Sequence, residues 1–96
     1  MIVDEIENEE EFRQATESRV VVDYFADWCH PCSQLEPVLK DIDALVVKVD
    51  IDENPDLAQK HGVMGLPTLA LFENGEELDR IVGVANKAKI ENFYEA

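Results

Sequence analysis

The chain has 96 residues, 46% hydrophobic and 31% charged, which sets aside a disordered polymer and leaves room for one core rather than two. Twenty-two acidic residues against eight basic ones give a formal net charge of −14, which argues against nucleic acid and anionic membranes as partners, because both need clustered Lys and Arg. No run approaches the roughly 20 apolar residues of a membrane span, and Met1-Ile2-Val3-Asp4-Glu5 is acidic where a secretory leader is basic, so the expectation is a cytoplasmic protein.

Met1 to Ile6 reads as a short strand. Asn8 then caps a helix start, with Glu11 three residues on as in a capping box, and the acids between Asp4 and Glu11 suit the positive end of that helix. The helix turns Phe12 and Ala15 inward and stops near Thr16. Arg19 to Ala26 is nearly unbroken apolar, β-branched or aromatic, the pattern of a strand covered on both faces near the centre of a sheet. A helix from Cys29 carries Leu35, Val38, Leu39 and Ile42, with Pro37 inside it to kink it. Leu45 to Ile51 is a strand, and strand, helix, strand in that order implies a parallel crossover. Pro55 opens a short helix through Leu57, Ala58 and His61 that Gly62 closes. Thr68 to Phe72 and Leu78 to Val82 form a hairpin about Asn74-Gly75, and Asn86 caps a last helix from Lys87 to Tyr94. The order βαβαβαββα predicts a single α/β domain over residues 1–96: a central mixed sheet of about five strands with helices on both faces.

Trp28-Cys29-His30-Pro31-Cys32 carries the chemistry. Two cysteines at this spacing can close and reopen a small disulfide ring, and they are the chain's only cysteines, so no other disulfide is available to staple the fold. At the strand-to-helix junction Cys29 stands where unpaired N–H groups and the helix dipole stabilise a thiolate. Cys32, a turn further in and less exposed, suits the resolving role, and Pro31 stiffens the first turn. The same spacing is half of a zinc site, but no second pair exists, and zinc would have to recruit His30 or His61 with a carboxylate. No metal is expected.

Asp23 interrupts Val20-Val21-Val22 and Tyr24-Phe25, so burial should raise its pKa toward neutrality and equip it to take the proton from Cys32. Lys48, between Val47 and Val49, stands near Asp23 and partly offsets that burial. A plain buried ion pair or a snorkelling lysine is the other reading. Trp28 offers a flat contact surface to a polypeptide, or packs. His61, beside Gly62 at a helix end, reads as a partly exposed histidine complementing the dipole and takes no functional role.

These residues resemble the thioredoxin family over nearly the whole chain. Val21 to Cys32 is similar to its active-site strand and turn, Val49-Asp50-Ile51-Asp52-Glu53-Asn54-Pro55 to its third strand and exit, and Gly65-Leu66-Pro67-Thr68 to its cis-proline loop. Phe72-Glu73-Asn74-Gly75 is similar to its hairpin, and Val82-Gly83-Val84 to the segment before its last helix. The resemblance implies that Cys29 attacks, Cys32 resolves, Asp23 is the buried carboxyl and Lys48 its companion. It also implies that the Leu66–Pro67 bond is cis and turns the Leu66 backbone outward beside Cys29, that Gly65 and Gly83 keep a groove open, and that Trp28, Met64, Leu66 and Val84 form its apolar rim. The implied protein is a monomer with no cofactor beyond its redox disulfide; it reduces disulfides in protein substrates and is re-reduced by a thioredoxin reductase.

Three departures stand out. His30 replaces the glycine usual in the family's reductases, and a cationic histidine there would favour the thiolate and make the couple more oxidising. Lys40 to Leu45 is shorter than in common bacterial members, so the helix should end early, and the usual Phe-Trp pair is Tyr24-Phe25. His30 keeps open a protein-disulfide-isomerase-like oxidase or isomerase, and a redox-inert adaptor on the same fold is the third possibility. The acidity fits a solvated surface or adaptation to high salt.

Overall fold

A computed structural model describes residues 1–96. Along the chain it runs β1 (Ile2–Ile6), α1 (Glu9–Ala15), β2 (Val20–Phe25), α2 (His30–Asp41), β3 (Val46–Asp50), α3 (Pro55–Lys60), β4 (Thr68–Glu73), β5 (Glu76–Val82) and α4 (Lys87–Glu95). This is the element order the sequence predicts.

The strands form one sheet in the order β1-β3-β2-β4-β5. β1 and β2 both pair parallel with β3, while β4 runs antiparallel to β2 and to β5. β2 therefore lies in the middle, and all six of its residues are buried. Because side chains alternate along a strand, β2 feeds two separate cores. Val21 packs with Leu35, Leu39, Val46, Leu69, Ile90 and Phe93 on the side of α2 and α4. Val20, Val22 and Tyr24 pack with Phe12, Val49, Leu57 and Phe72 on the side of α1 and α3. Each such fully buried aliphatic side chain stabilises the fold by roughly 1.5–3 kcal/mol.

Local signals place the ends of these elements. At Asn74 (φ 55°) and Gly75 (φ 78°) both central turn residues are left-handed, which matches the right-handed twist of the flanking strands and sets the β4–β5 register. The backbone N–H of Gly75 donates to Thr16 O at 2.9 Å and that of Asn74 to Glu17 O at 3.0 Å, tying the hairpin tip to the turn that enters β2.

At the start of α1 the Asn8 side chain accepts from the Glu11 N–H at 2.9 Å, as expected, while Glu11 Oε1 accepts from the Glu7 N–H at 3.0 Å instead of closing the box on Asn8 itself. The Asn8 bond satisfies a donor that the helix leaves free. Asn8→Ala should lower the unfolding free energy by about 1 kcal/mol with an unchanged slope in a urea titration.

Candidate active site

β2 ends at Phe25 and delivers the chain to the start of α2 through Ala26, Asp27 and Trp28, with the Cys29 N–H donating to Ala26 O at 3.1 Å. Cys29 is the N-cap of α2, in extended conformation, and its Sγ accepts from the Cys32 N–H at 3.3 Å. The Cys29 sulfur thus receives one of the orphan donors of the helix, the interaction that stabilises negative charge there. His30 and Pro31 occupy the first turn, where proline forfeits no intrahelical bond. Cys29 and Cys32 are disulfide-bonded with their Cα atoms 5.3 Å apart.

The two cysteines do not differ in exposure as expected: Cys29 is 6% exposed and Cys32 7% in this oxidised form. What separates them is the surface each faces. Cys29 lines an open groove of about 400 Å³ with Trp28, His30, Pro31, Ile51, Val63, Met64, Gly65 and Leu66. Cys32 faces only a smaller cavity of about 110 Å³ behind the disulfide, which Cys29 also touches and which Phe25, Ala26, Asp27, Ser33, Glu36 and Lys48 complete.

The groove rim is apolar and free. Trp28 is 70% exposed, its ring fixed by an Nε1–H bond to Asp52 Oδ2 at 2.9 Å, and Met64 is 97% exposed. The Leu66–Pro67 bond is cis, as the resemblance implied. A Cβ on Gly65 would stand 3.2 Å from Val82 Cγ1, so only a bare backbone fits there without a shift. Gly83 donates its N–H to Pro67 O at 2.8 Å, and its φ of 99° suits glycine. Gly83 and Val84 do not line the groove, although Val84 is exposed; Ile51 and Val63, which the sequence reading left out, do.

Asp23 sits between Val21 and Phe25 on the α2 face of β2, 3% exposed, and its Oδ1 has no hydrogen-bond partner. Burial raises its pKa from 3.8 to about 7; Lys48 opposes the rise and Glu36 adds to it. Lys48 is in register with Asp23 on β3, yet it makes no ion pair with it. Its Nζ instead meets Glu36 Oε1 at 2.5 Å and lies 4.0 Å from the centre of the Phe25 ring. The plain buried Asp23–Lys48 pair that the sequence left open is therefore absent. Lys48 holds Glu36 below the usual carboxylate range through that hydrogen bond.

His61 is partly exposed at the end of α3, as expected. Its ring packs against Phe12 at 4.8 Å and Phe72 at 5.6 Å, on the opposite face of the sheet from α2, and burial lowers its pKa. The ring joins an aromatic cluster, and its burial disfavours the cationic form that would complement the helix dipole. His61 is thus turned away from the cysteine pair, the position a zinc site would have required it to share.

A sulfur capping a helix, a second sulfur bonded to it and a buried carboxyl on the central strand describe a thiol-disulfide centre. The thioredoxin family model matches residues 3–96. The chain belongs to the thioredoxin family. Thioredoxin from Chlamydia caviae is 47% identical over 73 residues, covering 71% of this chain and 72% of that protein. Thioredoxin from Staphylococcus epidermidis is 40% identical over 87 residues, covering 83% and 84%. Among solved structures, the thioredoxin of Malassezia sympodialis matches with a TM-score of 0.87 and 34% identity over 97% of this chain and 88% of that one. A point-mutant thioredoxin from Halobacterium salinarum matches with the same score at 38% identity, over 95% and 86%. The protein is accordingly a thiol-disulfide oxidoreductase whose redox group is its own cysteine pair. Thioredoxins act on protein disulfides, and no helix of this one is long and apolar enough to cross a membrane.

Proposed function

We propose that this thioredoxin is a reductase of disulfides in other proteins, working as a monomeric single domain in the cytoplasm and recharged by a thioredoxin reductase. The placement of Cys29 carries the reading: a helix-capping sulfur on the wall of an open apolar groove, with its bonding partner facing the other way.

The reduced site runs the following exchange. The Cys29 thiolate attacks one sulfur of a substrate disulfide held against Trp28, Met64 and Leu66; a Cys29–substrate bond forms, the substrate S–S bond breaks, and the first substrate thiolate leaves. Asp23 takes the Cys32 proton, and the Cys32 thiolate then attacks Cys29 Sγ, forming the Cys29–Cys32 bond and releasing the second substrate sulfur. Two electrons pass to the substrate, and the reductase returns them to the pair. The outer edge of Leu66 and the exposed rim suit an extended polypeptide laid alongside Cys29.

The reading is tested by supplying dithiothreitol as donor to a protein-disulfide substrate and by equilibrating the protein with a glutathione buffer. Expected are reduction of the substrate and a potential nearer the roughly −270 mV of reductases than the roughly −120 mV of strong oxidants, raised somewhat by His30. A value at the oxidising end assigns an oxidase or isomerase instead, and no substrate reduction assigns an adaptor.

A further inference from the structure

The wall of the cavity behind the disulfide holds an ion pair with no part in the exchange between Cys29, Cys32 and Asp23. Glu36 stands four residues after Cys32, one turn along the same face of α2. Its Oε1 meets Lys48 Nζ at 2.5 Å, and both residues line the cavity of about 110 Å³ together with Cys29 and Cys32, space enough for water. Lys48 is the β3 residue in register with Asp23, so by strand geometry alone it is the counter-charge nearest to hand for that carboxyl. The ammonium is committed elsewhere: it lies over the Phe25 ring and against Glu36, and Asp23 Oδ1 is left without any partner. An unpartnered buried carboxyl beside a diverted lysine is a costly arrangement, and a contact that maintains it is an element of the site rather than of the surface.

We propose that Glu36 is a positioning residue: its carboxylate fastens the Lys48 ammonium to the wall of the cavity behind the disulfide and so withholds from Asp23 the counter-charge that the facing strand position would otherwise supply. The proposal rests on the reading of Asp23 as the acceptor of the Cys32 proton. A carboxylate paired with an ammonium is a poor base at neutral pH, whereas one denied its partner keeps its affinity for the proton. The charged groups acting on Asp23 come from two elements, Lys48 from β3 and Glu36 from α2; Asp27 and the cysteine pair line the cavity those two share, and β4 presents Leu69 in register with Asp23. Burial of Asp23, which raises its pKa to about 7, supplies the background on which Glu36 and Lys48 act in opposite senses.

The test follows the Asp23 carboxyl by carbon-13 NMR titration of the oxidised protein in four forms: wild type, Glu36→Gln, Lys48→Met and the double variant. Glu36 is partly exposed, so replacing it should leave the fold intact. In Glu36→Gln the freed ammonium should draw the Asp23 midpoint down by about one pH unit, and the pH midpoint of the resolving step should move with it. In the Lys48→Met background the same substitution should lower the midpoint by clearly less, by the loss of Glu36's own charge alone. A midpoint unmoved by Glu36→Gln overturns the proposal. So does an equal fall with and without Lys48, since Glu36 then acts by its own charge and not by holding the lysine. These midpoints are read without turnover, so a protein that fails to reduce any protein disulfide refutes the reductase reading separately.

Discussion

Cys29→Ser should reduce turnover of a protein disulfide to the uncatalysed background, while Cys32→Ser should complete the first attack and stop there, accumulating the substrate as a mixed disulfide on Cys29. The asymmetry follows from placement. Cys29 alone of the two lines the open groove, and it receives the Cys32 N–H that stabilises charge on sulfur. Cys32 lines only the smaller cavity beside Glu36 and Lys48 and is absent from the groove, so the expected route from it to a bound substrate runs through Cys29. Stability does not confuse the comparison, because both variants lose the same four-residue disulfide loop, worth roughly 2 kcal/mol by loop-closure entropy. Mass spectrometry of the protein after incubation with a disulfide substrate reads the adduct. Complete loss in both variants with no adduct on Cys32→Ser contradicts the assigned order of attack.

The element order was legible because each strand and cap advertises itself locally. Val20 to Phe25 is apolar at every position but Asp23, a run that a strand buried on both faces calls for, and Asn8, Asn86 and Asn74-Gly75 are residues whose side chains or backbone freedom the observed caps and turn use. The partners of charged groups were not legible. Asp23 and Lys48 occupy matching places in adjacent strands, and strand pairing suggested that they meet. The competitor is a helix residue, Glu36, which in the sequence looks like any solvated glutamate on an amphipathic helix. Its spacing of four from Cys32 was the available signal. The neighbours of His61 were hidden for a similar reason: a helix end next to Gly62 suggests a dipole partner, but Phe12 and Phe72 come from elements 49 and 11 positions away, and nothing local announces the aromatic cluster that helps desolvate the ring. Ile51 and Val63 joined the groove because loops after β3 and α3 converge beside Cys29, a consequence of the crossover and not of any motif. The cis Leu66–Pro67 bond came from family resemblance alone, since an X–Pro bond read by itself is trans in most proteins.

Asp23→Asn should make the protein more stable and slower at the same time. The carboxyl titrates near 3.8 when exposed and at about 7 in the fold, so the folded state binds its proton over a range in which the unfolded state has released it. Below about pH 4 both states are protonated and the group costs nothing extra. As pH rises from there, the unfolded chain ionises freely while the folded one resists, and stability falls until the folded group ionises near pH 7. Above that the full penalty is present, of order 4 kcal/mol for a shift of this size. An amide has nearly the shape of the protonated acid and no charge, so Asp23→Asn should gain about 2–4 kcal/mol at pH 8, little at pH 4, and should lose the decline between them. The midpoint of guanidinium denaturation measured at both pH values checks this. The gain comes with loss of the proton acceptor: the step in which Cys32 attacks Cys29 should slow by at least about tenfold near pH 7, since positioned general bases typically contribute 10²–10⁴-fold. A variant that is no more stable at pH 8, or that resolves mixed disulfides at the wild-type rate, would sink the role given to this carboxyl. Stability surrendered at one buried group on the central strand is then the measure of what the exchange requires there.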